Sequence, residues 1–161
     1  MIRLQETTDY DLYKSILVDP EMWDRIHEDG EEPEDMDDAG IPEGWHVIAA
    51  QTQDGLMGCF TVHSLPQNMN TWELHVNVLE PFREKYSSEF GHEMMKWMSE
   101  ELPVNVEWVK AQIPEIYPDV LRFAEKLGFR DFGEGRIFRK NGEDVTQRLV
   151  MVSRQELKRW V

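Results

Sequence analysis

The chain has 161 residues, 40% of them apolar and 11% aromatic, which suits one domain (1–161) with its own core and excludes wholesale disorder. With 17 basic against 32 acidic residues the net charge is −15, so nucleic-acid phosphates are repelled and no nucleic-acid partner is expected. No run approaches the length of a membrane span, MIRLQETTDY is too polar for a secretion signal, and Cys59 alone makes no internal disulfide. A reducing, cytoplasmic location without membrane contact is the expectation.

In chain order, IRLQ reads as a short first strand. Thr8 with Asp11 three residues on resembles a capping box for a helix through about Leu17. Asp19-Pro20 opens a second helix, cap then N1 proline, carrying EMWDRIH. Residues 28–45 form an acidic loop: EDGEEPEDMDDAGIPE holds nine Asp or Glu and no Lys or Arg, and it is expected to be mobile.

HVIAAQTQ and LMGCFTVH then form a hairpin through Asp54-Gly55. SLPQNMN is a turn into TWELHVNVL, where Trp72, Leu74, Val76 and Val78 alternate with Glu73, His75 and Asn77. SSEFGHEMMKWMSEEL is helical, with Phe90, Met94, Trp97 and Met98 on one stripe. VNVEWVKAQI is a strand and PDVLRFAEKLG a helix ending at Gly128. RIFRK-NG-EDVTQRLVMV closes the chain as a hairpin, and Ser153 with Glu156 caps a short last helix. The order β-α-α-β-β-β-α-β-α-β-β predicts an α/β fold with a mixed sheet.

Two stretches carry a family resemblance. FAEKLGF (123–129) is similar to the helix-to-strand ending, and VNVLEPFREKYSSEFG (76–91) to the strand, phosphate loop and helix start, of the GNAT superfamily of N-acetyltransferases. The resemblance implies acetyl-CoA as co-substrate and a primary amine as acceptor. Its pyrophosphate would meet backbone N–H groups at a helix N-terminus, here Lys85 to Ser88, with Arg83 in the family's basic position. Val76 and Val78 would line the pantetheine. Tyr86 and Ser88 stand where the family has small residues: Tyr86 turned outward leaves the cradle usable, turned inward closes it. The bland alternative is that Ser87 or Ser88 merely caps the helix and that Arg83 and Lys85 are solvated.

The same resemblance makes Glu73 or His75 the general base, and histidine, titrating near ~6.5 when unperturbed, suits that task. Ala124 stands where many members carry a tyrosine acid; Tyr117, where the family often has an asparagine against the pantetheine arm, is the candidate near the leaving sulfur, the alternative being a packing anchor that opens the helix. No metal is expected, because His27, His46, His63 and His92 show no ligand spacing and one cysteine builds no zinc knot. The acidic loop suggests a cationic acceptor or a basic protein surface as partner; charge runs are more often plain solvated surface.

W-D-x-I-x-E-D-G (23–30), E-x-H-V-x-V-L-x-P-x-R (73–83) and I-P-E-I-Y (113–117) are also similar to small GNAT-like proteins of tailed bacteriophages. That likeness implies an alternative role as a non-catalytic virion-associated or structural protein, with homo-oligomers or virion assembly and a place in the host cytoplasm or virion.

Overall fold

The computed structural model describes Met1–Val161. The strands are β1 (Arg3–Thr7), β2 (Trp45–Thr52), β3 (Gly55–Leu65), β4 (Asn68–Val78), β5 (Trp108–Pro114), β6 (Arg130–Lys140) and β7 (Glu143–Ser153). The helices are α1 (Tyr10–Leu17), α2 (Pro20–Ile26), α3 (Glu80–Glu101), α4 (Pro118–Lys126) and α5 (Arg154–Leu157). The seven strands make one mixed sheet in the order β1-β2-β3-β4-β5-β7-β6. No helix is long and apolar enough to cross a membrane.

By internal contacts the chain divides into two compact units, Met1–His63 with His75–Phe90, and Ser64–Leu74 with Gly91–Val161. The first holds a core of Tyr13, Ile16, Leu17, Val47 and Cys59. Asp19 caps α2 as its sequence predicts, accepting from the Met22 N–H at 3.2 Å, with Pro20 at the first position. The cap of α1 is Asp9 rather than Thr8: the Asp9 carboxylate accepts from the Leu12 N–H at 3.2 Å, because the first helical residue is Tyr10. The turn between β2 and β3 sits one residue earlier than expected, since Thr52 pairs with Gly55 and leaves Gln53-Asp54 as its centre.

The acidic segment is partly structured. Pro33–Met36 form a 3-10 turn, Lys14 Nζ lies 2.6 Å from Asp37 Oδ1, and the Tyr10 hydroxyl donates to the Met36 carbonyl. Gly58, at φ +149°, allows a close approach in β3: a Cβ there would stand 2.1 Å from the Asn77 carbonyl oxygen.

In the second unit, β4 pairs with β5 in parallel for only three pairs, Thr71↔Trp108 to Glu73↔Lys110, although both strands continue. The α4 helix ends as predicted, with Gly128 at φ +97° reversing the chain. Asn141 (φ +55°) and Gly142 (φ +77°) make the tight turn between β6 and β7, the conformation an Asn-Gly pair adopts most easily. Ser153 caps α5 by accepting from the Glu156 N–H at 3.2 Å.

One boundary bears directly on function. The sequence places a helix from Ser87, but α3 begins at Glu80, seven residues earlier. Pro81 fits the first turn, where a missing N–H costs nothing. Tyr86 is buried with Phe90, Met94, Met95, Met98 and Leu102, so the apolar stripe of α3 starts one turn before Phe90.

Candidate functional site

The expected phosphate cradle is the first question. Residues 85–88 lie within α3, so their N–H groups are committed to carbonyls four residues back. A helix presents four spare N–H groups only at its start. Here the Leu79 N–H donates to the Met57 carbonyl at 2.8 Å and the Phe82 N–H to the Leu79 carbonyl at 3.0 Å. Pro81 has none, which leaves Glu80. Ser87 is occupied within the helix, its hydroxyl donating to the Arg83 carbonyl. Ser88 is exposed.

Tyr86 points inward. It is 5% exposed, and its hydroxyl donates to Asp54 Oδ2 at 2.5 Å, while Lys85 Nζ lies 3.0 Å from the same oxygen. Those two contacts, the tyrosine's first, hold the Asp54 carboxyl below the usual carboxylate range, and the same carboxylate raises Lys85. Arg83 is likewise engaged: its Nε donates to the Val78 carbonyl at 2.8 Å and its Nη1 lies 2.8 Å from Glu21 Oε2. Arg25 Nε is 3.1 Å from the other Glu21 oxygen. Both Glu21 oxygens are shielded from water without a well-aligned hydrogen bond, so Coulombic attraction holds this cluster. Arg83 is thus a structural cation, and the positive charges of Arg83 and Lys85 are compensated by Glu21 and Asp54.

The residues therefore do not form a backbone cradle for a diphosphate. A side-chain site is what they offer. The Lys85–Asp54 pair is 61% and 50% exposed, and such exposed pairs are worth little against a stronger anion.

The proposed base lies in a more organised setting. His75 Nε2 is 3.3 Å from His63 Nε2, with ring planes 12° apart. Trp45 lies parallel to both, its ring centroid 4.1 Å from His63 and 5.3 Å from His75. Strand alternation carries Glu73, His75 and Asn77 to one side of β4. Asn77 is buried, its amide donating to the Met22 sulfur at 3.5 Å. Val76 is half-buried and Val78 buried.

Tyr117 belongs to the second unit, where it precedes α4. Its N–H donates to the Pro114 carbonyl at 3.0 Å, and its own carbonyl accepts from Val120 at 3.1 Å. Ala124 is buried. Burial pushes the Cys59 thiol up to about 12, which removes it as a nucleophile.

His63, Trp45, Asp54 and Glu21 are the site neighbours that sequence reasoning missed. For His63 no local signal exists: the turn before β4 is two residues, Pro66-Gln67, rather than the seven of SLPQNMN, and a plain hairpin of that length would set His63 opposite Asn70 rather than near His75.

No family model matches the sequence, and no curated protein does. Solved structures do match. The spermidine N-acetyltransferase of Vibrio cholerae, in complex with CoA and spermine, has 10% identity, covers 98% of each chain and gives a TM-score of 0.78. A candidate phosphinothricin N-acetyltransferase has 19% identity over 95% of this chain and 98% of its own, at 0.75. The smu.2055 protein of Streptococcus mutans UA159 has 13% identity over 94% and 99%, at 0.71. At these identities the likeness is one of fold, and the fold is that of the GNAT acyltransferases.

Proposed function

We propose that the protein is an N-acyltransferase that moves an acetyl group from acetyl-CoA to a primary amine. One observation carries the reading: the residue expected as general base, His75, has a second imidazole at 3.3 Å. An amine is protonated at neutral pH and must lose a proton before its lone pair attacks the thioester carbonyl. His75 accepts that proton, and an N–H shared with His63 lets the charge spread over two rings. The N–C bond forms as the C–S bond breaks, and CoA leaves as the thiolate, a fair leaving group unaided. Glu73, on the same strand face, is the second proton acceptor.

The donor's diphosphate would rest on the Lys85 side chain, released from Asp54. With Asp54, Glu80 and Glu84 nearby in sequence or space, the grip is weak. The names of the fold neighbours support acetyl transfer as the class of reaction, and the acidic segment 28–45 favours a cationic acceptor. Assembly into a virion has no observation in its favour, and the tailed-phage likeness finds no support among the structural neighbours.

Calorimetric titration with acetyl-CoA tests the reading. Binding is expected to weaken about tenfold in Lys85→Glu and to strengthen in Asp54→Asn, which frees the lysine. Turnover with a panel of polyamines and lysine peptides should then fall in His75→Ala. Absence of heat at about millimolar acetyl-CoA, where even a binding free energy of about −4 kcal/mol would register, ends the enzyme reading.

A further inference from the structure

We infer that His63 and His75, with Glu73, constitute a divalent-metal site of the zinc type on the β3–β4 hairpin. The separation of the two donor nitrogens is the first ground. Zinc holds imidazole nitrogens at about 2.0–2.1 Å in a tetrahedron, which sets two of them about 3.3 Å apart, and His63 Nε2 and His75 Nε2 are 3.3 Å apart. Their rings approach nearly in one plane, 12° apart with centroids at 5.4 Å. That is the arrangement of one shared proton, and an ion replaces the proton once both rings swing so that their lone pairs converge.

The second ground is the donor set. Glu73, two residues before His75 on the same strand, projects its carboxylate to the same side. Two imidazoles and one carboxylate make the open type of zinc site, in which water completes the tetrahedron. Trp45 is the third ground: parallel to both rings, within 4° of His63 and 8° of His75, it resists rotation out of their shared plane and leaves the in-plane swing open, so it orients the ligands as outer groups around a metal do. The charge of −15 raises the local concentration of cations.

Binding of the ion is independent of the acyltransferase reading. A consequence rests on that reading: the metal occupies the lone pair that would accept the amine's proton, so zinc would inhibit acetyl transfer.

The test titrates the full chain with Zn²⁺ by calorimetry and with Co²⁺ by visible absorption. One ion per chain is expected, with affinity reduced at least about tenfold in His63→Gln, His75→Gln and Glu73→Gln. It should be unchanged in His46→Gln, whose ring pairs with Glu6 at 3.1 Å on β2. Glu73→Gln leaves the Trp45 stack intact and serves if an imidazole loss impairs folding. Unaltered uptake in these three variants, or equal uptake of Ca²⁺, which would place the ion on the acidic segment, overturns the site. Zinc uptake without acetyl-CoA binding removes the enzyme reading alone; acetyl-CoA binding without zinc uptake removes the metal site alone.

Discussion

Tyr86 stands where the resembled loop carries a small residue, and its ring joins the buried stripe of α3 while its hydroxyl reaches Asp54. A carboxylate held below its ordinary range stabilises the fold above its unfolded value, and that contribution is lost as pH falls through the folded value. Asp54 is such a group. Asp54→Asn is therefore expected to lower stability at neutral pH, and the gap from the parent should close as pH falls below about 4, the unfolded aspartate value. Urea melts of both proteins across that range check the prediction; a constant gap would mean that Tyr86 and Lys85 do not favour the ionised form. Position 86 was legible as a departure from the loop pattern. Its destination was not, because Asp54 lies 32 residues away and periodicity says nothing of such partners.

At the scale of elements, local chemistry was readable wherever it acts within a few residues. The Asp19-Pro20 start of α2, the Asn141-Gly142 turn and the Ser153 cap all stand where their side chains satisfy nearby backbone groups. The start of α3 was not readable, since Glu80 to Lys85 hold a proline and four charged residues with Phe82 as the one large apolar side chain, and become helical through the burial of Tyr86 just beyond them. Gly91, the first glycine after the loop, serves packing: a Cβ there would stand 2.8 Å from Leu127 Cδ2. Gly58 is the stricter case, because the atom in its way is the Asn77 carbonyl oxygen, which cannot withdraw without parting the strands. Gly58→Ala is expected to cost about 3 kcal/mol, near the upper end for overpacking, measured by thermal or urea denaturation. A loss under about 0.5 kcal/mol, the range of ordinary surface changes, would contradict this close approach.

The whole molecule carries −15, and most of its ion pairs have at least one exposed partner, so repulsion among carboxylates is the larger electrostatic effect. Raising ionic strength from about 0.01 to about 0.15 M shortens the screening length from about 30 to about 8 Å. Tm is expected to rise by about 2–4 °C, the shift of roughly 1 kcal/mol in a chain of this size; a fall in calorimetric Tm would show that the ion pairs dominate. The order of strands and helices, the caps of α2 and α5 and the acidic character of the surface follow from the sequence alone, because each depends on composition or on neighbours within a turn or a rung. Only the tertiary structure decides that α3 swallows the expected phosphate loop, that Arg83 turns to Glu21, and that His63 meets His75 under Trp45. These contacts depend on strand register and on which polar groups burial forces into company, and both are set by the packed fold rather than by any local run of residues.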